Sequence, residues 1–382
     1  MRKKVCIGDL GTIITGNTPP RRAPQLYGNH TPFIKATDIS EYEKYTYNPE
    51  ECYSEEGYNK YIKSLIPKGS TCVVTIGSIG KKMTMAHCDL FINQAMNAII
   101  PYNNYDDDYV YYAVKNILGN IKKLDSGTAS GRENVSKSAF SKMEICVEED
   151  LLIQQRIAAI LSRYDSLIEN YQKQIKLLEE SAQRLYKEWF IDLCFPCHEN
   201  TKIVDGVPEG WEKKRVGDIA EFKRGKTITK KEIVEGNIPV VAGGLEPAYY
   251  CNKSNTDDRV ITISGSGANA GFTRMYFEKV WASDCSYIDC STTKYLHFIY
   301  CFLKANKTNI DNMQKGAAQP HVYAKDINAT DLLLPTNEIL NSFERQLTKI
   351  YNSVASIQSQ IRLLTEARDR LLHKLMSGEI EV

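Results

Sequence analysis

Two heptad-spaced segments constrain the fold of this chain more than any other feature of its sequence. Apolar residues follow a 4-3 spacing from Ile157 to Trp189, and the spacing recurs from Phe343 to Leu375, each position 186 residues later. A period of about 3.5 residues makes a narrow apolar stripe on a helix, which another helix must cover. At ~1.5 Å of rise per residue, each segment forms a rod of roughly 50 Å. The spacing therefore predicts two long helices that pair.

The stripe favours a mutual coiled coil over packing of each helix on its own domain, which would give a wider stripe of period 3.6. We expect the pair to be antiparallel, because a second domain must fit between the two segments. Arg368 is the polar exception, at the position equivalent to Ala182. It is either a register-setting residue or one whose charged end reaches solvent. The predicted seam comprises Leu161, Ile168, Ile175, Leu178, Leu185, Leu347, Val354, Ile361, Leu364 and Leu371.

The segments before each heptad region also form two copies of one pattern. "IGDLGTIITGNTP" from Ile7 corresponds to "VGDIAEFKRGKTI" from Val216, and "VVTIGSIG" from Val73 corresponds to "VITISGSG" from Val260. The loop "SGTASGRENVS" then corresponds to "KGAAQPHVYA" from Lys315. The order is kept while the offset falls from 209 to 186 residues. Such a pattern is typical of a duplicated domain with insertions and deletions in its loops.

Each copy is predicted to be a mixed α/β domain with more strand than helix. The β-branched runs "CVVTIG", "RVITIS" and "NAIIPY" predict strands, and Asp107 to Leu124 and Thr293 to Ile310 predict helices at matching places. The fold class is therefore α+β, with two such domains in tandem and two long antiparallel helices. We expect a first domain at 1–150, a central helix at 151–194, a linker at 195–211, a second domain at 212–337 and a C-terminal helix at 338–382.

Composition limits the class of protein further. The chain has 382 residues, of which 42% are hydrophobic and 25% are charged. It has no run of about 18 apolar residues, so no membrane span is expected. The start "MRKKVCIGDL" does not have the apolar core of a secretory signal. With no export signal, the 11 cysteines indicate reduced thiols and a cytoplasmic location.

Three local patterns resemble enzyme motifs but do not have the context that each one needs. "CFPCH" (Cys194 to His198) matches a haem-attachment signature but follows a long helix in a chain with no export signal. "SGSGANAG" (Ser264 to Gly271) is followed by a strand-like segment instead of a phosphate-binding helix. "NTPP" (Asn17 to Pro20) resembles the Asn-Pro-Pro-aromatic motif with which adenine methyltransferases hold a flipped base, but Arg21 stands where the stacking aromatic belongs. We therefore expect no catalytic residues, no metal and no cofactor.

Local charge and loop chemistry predict contact with DNA, although a solvated surface remains the alternative for each residue. From Lys213 to Lys231 there are eight basic and two acidic residues, whereas the whole chain has a net charge of +1. Basic groups set phosphate affinity, and loop amide, hydroxyl and guanidinium groups read base edges. The candidates in the first copy are Arg21, Arg22, Lys81, Lys82, Ser126, Thr128, Ser130, Arg132 and Asn134. Those in the second are Lys223, Arg224, Lys226, Ser264, Ser266, Asn269, Lys315, Gln319 and His321.

The combined features resemble the specificity subunit of type I restriction-modification systems over essentially the whole chain. The resemblance depends on "IGDLGTIITGNTP", "FINQAMNAIIP", "QQRIAAILSRYDSLIENYQKQIKLLEESAQRLYKEWFIDLCFP" and the C-terminal helix with its "LMSGEI" tail. It implies two target-recognition domains, each reading one half of an asymmetric, interrupted double-stranded DNA site. It also implies paired helices that fix the spacing between the half-sites.

The same resemblance implies partners that perform the chemistry. Two methyltransferase (modification) subunits would dock on the helices, and two ATP-dependent endonuclease (restriction) subunits would complete the complex. Two other interpretations remain open from the residues alone. One is a DNA methyltransferase or nuclease with an unrecognised catalytic site, and the other is a coiled-coil scaffold unrelated to DNA.

Overall fold

The computed structural model describes residues 2–125, 133–229, 232–315 and 320–382. The predicted residues Ser126, Thr128, Ser130, Arg132 and Gln319 lie outside these ranges, as do Lys230 and Lys231 of the basic run. The chain forms two compact units. Unit 1 comprises Met1–Gln172 and Gln360–Val382, and unit 2 comprises Lys173–Ser359. Each unit therefore contains a part of both long helices.

The strands of unit 1 are β1 Arg2–Cys6, β2 Gly11–Thr15, β3 Tyr27–Gly28, β4 Thr31–Ile34, β5 Glu51–Tyr53, β6 Thr71–Val74, β7 Met83–Met85, β8 Phe91–Ile92, β9 Met96–Pro101 and β10 Glu144–Glu148. They form an antiparallel four-stranded sheet of order β2-β9-β6-β7, a second sheet of order β3-β5-β4-β8 and a two-stranded sheet β1-β10. In the second sheet β4 and β8 are parallel. The helices are α1 Glu55–Tyr61, α2 Asp107–Ile117, α3 Lys137–Lys142 and the start of the long helix α4, Leu151–Tyr186.

The strands of unit 2 are β11 Ile203–Val204, β12 Val207–Pro208, β13 Glu212–Arg215, β14 Lys223–Arg224, β15 Ile238–Val241, β16 Tyr249–Cys251, β17 Val260–Ser264, β18 Thr273–Tyr276, β19 Trp281–Ala282, β20 Cys285–Asp289 and β21 Asp331–Leu334. They repeat the topology of unit 1, except that β3 has no counterpart among the described residues and the two-stranded sheet β11-β12 is additional. The four-stranded sheet has the order β14-β20-β17-β18, and β15 pairs with β16 antiparallel and with β19 parallel. The helices are α5 Val216–Ile219, α6 Leu296–Ala305, α7 Lys307–Asn312 and α8 Ala324–Asn328. Unit 2 also contains the start of the long helix α9, which spans Asn337–Ser377. The predicted tandem of two mixed α/β domains is confirmed.

The repeated "GD" motif is explained by identical backbone capping in the two units. The Asp9 carboxylate accepts a hydrogen bond from the Cys6 amide at 2.8 Å, and Asp218 accepts one from the Arg215 amide at 3.0 Å. Each carboxylate satisfies an amide at the start of a short helical turn, where such donors have no partner within the helix. The motif is therefore structural in both copies.

The glycine that closes the motif is required by close backbone approach. A Cβ on Gly16 would lie 2.2 Å from the carbonyl oxygen of Asn93, and one on Gly225 would lie 2.3 Å from that of Ser283. The Gly16 amide donates to Met96 at 3.1 Å, so the chain is held against the neighbouring strand there. No side chain fits at either position.

Both long helices form, and their order of contact is antiparallel. In unit 1 the start of α4 shares a core with the end of α9, represented by Leu161 and Leu375. In unit 2 the end of α4 continues into a π-helical turn, Lys187–Ile191, and meets the start of α9. There the rings of Trp189 and Phe343 have centroids 5.6 Å apart.

Burial along the predicted seam is uneven. Leu161 and Ile168 are buried in unit 1, and Leu347 and Val354 are buried in unit 2. A two-helix seam leaves its edges open to solvent unless a domain covers them. The half-buried seam positions are Ile175, Leu178, Leu185, Ile361, Leu364 and Leu371.

Three expected elements differ in detail from those observed. The predicted helix from Asp107 becomes tight 3-10 turns after Ile117, and the predicted helix from Thr293 is interrupted at Asn306. The expected linker 195–211 has both ends in the core of unit 2. Phe195 and Trp211 are buried there, with ring centroids 4.9 Å apart. Aromatic burial thus ties this segment to unit 2.

Candidate nucleic-acid interface

In unit 1 the turn after β6 is joined to a loop that is distant in sequence. The Gly77 amide donates to the Glu133 carbonyl at 3.0 Å, and the Val135 amide donates to the Thr75 carbonyl at 2.8 Å. Gly77 has φ +89°, a conformation that favours glycine. The predicted contact residue Asn134 is therefore held beside this hairpin turn, half-exposed.

Unit 2 builds the same junction with different side chains. The Gly267 amide donates to the Pro320 carbonyl at 3.0 Å, and the Val322 amide donates to the Gly265 carbonyl at 3.1 Å. Gly267 has φ +81°, close to the +89° of its counterpart Gly77. His321 occupies the place that Asn134 occupies in unit 1. We call this arrangement, residues 75–82 with 133–135 in unit 1 and 264–272 with 320–322 in unit 2, the hairpin-loop surface.

In unit 2 the hairpin-loop surface borders a depression of about 250 Å³. Three of the predicted DNA-contacting residues, Arg224, Ser266 and His321, line it together. Sequence reasoning missed a fourth polar residue of the lining, Asp284, whose carboxylate accepts a hydrogen bond from the Ser266 hydroxyl. Asp284 immediately precedes β20, which pairs with the strand that carries Arg224. Because that proximity arises from strand pairing, no local sequence signal identifies Asp284.

The basic residues of β14 and the adjoining loop are exposed in unit 2. Lys223, Arg224 and Lys226 all lie at the surface, and none forms an ion pair with a carboxylate of the described residues. Lys315 differs, since its ammonium group lies 2.9 Å from the Asp326 carboxylate. Lys223, Arg224 and Lys226 therefore have no ion-pair partner among the described residues, whereas Lys315 has one.

The basic residues of unit 1 are more engaged. The Arg21 guanidinium donates two hydrogen bonds to the Glu51 carboxylate and lies 5.0 Å from the centre of the Tyr27 ring. The hydrogen bond from Arg21 lowers the pKa of the Glu51 carboxyl. Arg22 and Lys81 are exposed, whereas Lys82 is half-buried. Arg21 therefore already has an anionic partner within the protein.

Two further candidates of unit 2 occupy unlike positions. Ser264 is buried, and its hydroxyl donates to the Gly243 carbonyl at 3.1 Å, so it supports the hairpin from inside. Asn269 lies in the hairpin turn and is half-exposed. Tyr323, which the sequence did not indicate, is exposed and stacks on His321 with an interplanar angle of 15°.

The motif that resembled a haem-attachment site forms a turn after the π-helical end of the central helix. Cys194 and Cys197 are exposed free thiols, and Cys197 has φ +64°. Within the described ranges, no group of three or more His, Cys, Asp or Glu side chains is placed to hold a metal ion. Among the helices that the structure describes, none combines the length and the hydropathy needed to cross a membrane.

Comparison with known proteins relates this duplicated architecture to one family. The family model of the type I restriction modification DNA specificity domain matches residues 2–180 and 208–363, which together make up most of the chain and cover both copies. The chain belongs to this family. Its two matches each include one structural repeat and the greater part of the long helix that follows it.

Individual relatives agree with the family. The chain is 29% identical to the Type I restriction enzyme MjaIX specificity subunit of Methanocaldococcus jannaschii, over 98% of this chain and 93% of that protein. It is 30% identical to the HindI specificity subunit of Haemophilus influenzae, over 45% of this chain and 38% of that protein. The crystal structure of a type I restriction-modification S subunit from M. genitalium has the same fold, with a TM-score of 0.57 and 19% identity. The structural match covers 98% of this chain and 96% of the M. genitalium chain.

Proposed function

We propose that this chain is the DNA-specificity subunit of a type I restriction-modification complex and binds a bipartite, asymmetric site in double-stranded DNA. The observation that carries the proposal is the hairpin-loop surface, which both units build with the same backbone bonds and different side chains. Equal frameworks with unequal side chains suit two modules that read different bases. The family membership supports the same function.

The proposed domain roles follow from the two repeats. Residues 1–150 and 212–337 are the two target-recognition domains, and 195–211 joins the first half to the second. The helical segments 151–194 and 338–382 set the separation of the half-sites, with α4 and α9 as the paired elements. A heptad seam suits this role because it is rigid and its length is set by residue count.

The proposed partners supply all of the chemistry. Two methyltransferase subunits and two ATP-dependent endonuclease subunits dock on this chain in the cytoplasm, and the chain itself is non-catalytic and needs no cofactor. The relatives described above are specificity subunits of type I restriction enzymes, which supports this assignment of roles. The exposed cations Lys223 and Lys226 provide phosphate contacts that position the DNA.

Mapping of methylated adenines in the source genome tests the proposal directly. A bipartite methylated motif that disappears when the gene is deleted and returns with the plasmid-borne gene is the expected result. A methylome that is unchanged by the deletion refutes the proposal. Methyl-donor binding by the purified chain alone would instead favour the alternative, a DNA methyltransferase with an unrecognised site.

Shortening the helices tests their role in spacing. Removing one heptad from α4 and one from α9 shortens each by ~10.5 Å and keeps the seam in register. The gap between half-sites should then shrink by about 3 base pairs, at ~3.4 Å each, while the half-site sequences stay the same. A four-residue deletion from one helix is the control, since it breaks the register and should abolish assembly. An unchanged gap in the heptad variant contradicts the spacing role.

A further inference from the structure

Units 1 and 2 have equivalent backbone hydrogen bonds at the base of the hairpin-loop surface. The Gly16 and Gly225 amides donate to equivalent carbonyls of β9 and β20, at 3.1 Å and 2.8 Å. The residues just before these glycines are therefore equivalent. Thr15 faces Asn97 in unit 1, and Arg224 faces Ser286 in unit 2.

A second backbone bond extends the equivalence to the acidic residue. The Thr75 amide donates to the Ala95 carbonyl at 2.8 Å in unit 1, and the Gly265 amide donates to the Asp284 carbonyl at 3.1 Å in unit 2. Asp284 thus occupies the place of Ala95. At these two equivalent positions, unit 2 has the charged residues Arg224 and Asp284, whereas unit 1 has the neutral residues Thr15 and Ala95.

The neutral set of unit 1 satisfies itself. The Thr15 hydroxyl donates to the Asn97 side-chain oxygen at 2.6 Å, and the Asn97 amide donates to the Thr75 hydroxyl at 2.9 Å. Asn97 and Thr75 are buried. Each of these three side chains therefore has a hydrogen-bond partner within the set, and none of them carries a charge.

The charged set of unit 2 is open instead. Arg224 forms no ion pair in the part of the chain that the structure describes, although it lines the same depression as the Asp284 carboxylate. The hydroxyl of Ser266 binds and orients that carboxylate. Ser266 is itself fixed, because its backbone forms a bridge with His321, whose amide and carbonyl each bond to Lys315 at 2.9 Å.

The chemistry of this depression fits a base edge better than a phosphate. A carboxylate beside the guanidinium repels a phosphate group, whereas a G·C pair offers two acceptors and one donor in the major groove. We propose that the Arg224 depression reads a G·C pair in the half-site of the second domain. The guanidinium donates to guanine N7 and O6, the Asp284 carboxylate accepts from the cytosine N4 amino group, and Ser266 positions the carboxylate. This inference rests on the proposed function and adds the identity of one base pair.

Methylome mapping in cells that carry Arg224→Ala is the first test. The expected result is a motif in which one guanine position, in one half-site only, becomes degenerate while the other half-site is unchanged. Lys226→Ala is the matched control, because loss of a phosphate contact weakens binding to all sequences alike and leaves the motif intact. An Arg224→Ala methylome with the wild-type motif overturns the inference.

A binding experiment decides the case in which Arg224→Ala abolishes methylation. The purified complex with its methyltransferase subunits is titrated with duplexes that carry 7-deazaguanine, which has no N7 acceptor, at each guanine of the mapped site. The wild-type complex should bind about tenfold more weakly at one position, in line with the loss of a bidentate contact. The Arg224→Ala complex should show no further loss at that position.

Arg224→Lys replaces the alanine variant if the latter does not assemble, since lysine keeps the charge but not the paired donors. If 7-deazaguanine weakens binding equally in the wild type and the variant at every guanine, the inference is overturned. A wild-type motif with no guanine on either strand of the half-site concerned overturns it as well. Absence of any bipartite motif that depends on this chain refutes the proposed function itself. The two failures are therefore distinguishable.

Discussion

Replacing Arg368 by alanine tests how strongly one buried ion pair joins the long helices in unit 1. Arg368 is 3% exposed and Asp165 is 7% exposed, and the guanidinium Nη1 donates to Asp165 Oδ1 at 2.5 Å. The Tyr112 hydroxyl donates to the other carboxylate oxygen. In unit 2, the equivalent positions 186 residues away are Ala182 and Tyr351, both buried. The charged pair is thus specific to unit 1.

The size of the effect follows from what each substitution leaves behind. Arg368→Ala leaves a buried carboxylate with one hydroxyl partner, which should cost about 3–5 kcal/mol of unfolding free energy. Asp165→Ala should cost roughly 2 kcal/mol, because Arg368 keeps a hydrogen bond to Asp369 at 2.9 Å. The double variant removes both charges and leaves a gap, for about 2–3 kcal/mol. The losses of unfolding free energy in the two single variants should therefore add up to about 3 kcal/mol more than the loss in the double variant.

The assay is urea unfolding of the wild type, the two single variants and the double variant. Far-UV circular dichroism follows the whole chain. Trp189, Trp211 and Trp281 all lie in unit 2, so tryptophan fluorescence follows that unit separately. The control cycle uses Lys4 and Glu144, an ion pair of unit 1 whose side chains are both more than half exposed. Solvent screening should leave that pair with no measurable coupling.

Additive losses would refute the reasoning. If the Asp165 and Arg368 substitutions add to within about 1 kcal/mol, the buried pair is not a coupled unit, since additivity is the behaviour of distant, independent sites. A coupling energy no larger than that of the exposed control pair would lead to the same conclusion. In either case the register of the helices must be set by apolar packing alone.

Two further predictions concern single residues. Gly16→Ala and Gly225→Ala should each lower the thermal midpoint by several degrees, because the new Cβ meets a backbone oxygen at 2.3 Å or less. Gly119→Ala, with no atom within 4 Å of its Cβ, is the control, and equal midpoints for all three would contradict the steric argument. Burial lowers the pKa of Lys115 to about 8, from 10.5, so a charged Lys115 destabilises the fold below pH 8 and this penalty fades as the pH approaches 10.5. Lys115→Met should therefore raise the urea midpoint at pH 7 and lose that advantage by about pH 10; an advantage independent of pH would contradict the assignment.

Much of the architecture could be predicted from the sequence because it depends on periodicity and duplication. The 4-3 spacing predicted both long helices, and the shared motifs from Ile7 and Val216 predicted two domains of one topology. These signals are local or repeated, so they survive without knowledge of tertiary contacts. The antiparallel order also followed, because the second domain had to fit between the two helical segments.

Side-chain roles were less predictable, because each depends on what another segment brings alongside. Arg21 looked like a free cation but is bound to Glu51, and Ser264 looked like a reading residue but is buried against Gly243. Arg368 could have extended to solvent or fixed the register, and its burial against Asp165 excludes the first.

The sequence by itself determined that this chain is a duplicated protein with two long paired helices, since apolar spacing decides which residues must leave water wherever their partners lie. Only the tertiary structure decided which polar groups remain free. Arg224 and Asp284 are 60 positions apart, and they line one depression because β14 pairs with β20. The hydrogen-bond partners of a polar side chain are its neighbours in space. The fold therefore decides whether such a side chain is already bonded within the protein or is available to a ligand. The two units share one framework, so their networks differ because the residues at equivalent positions differ, and only the fold shows which positions are equivalent.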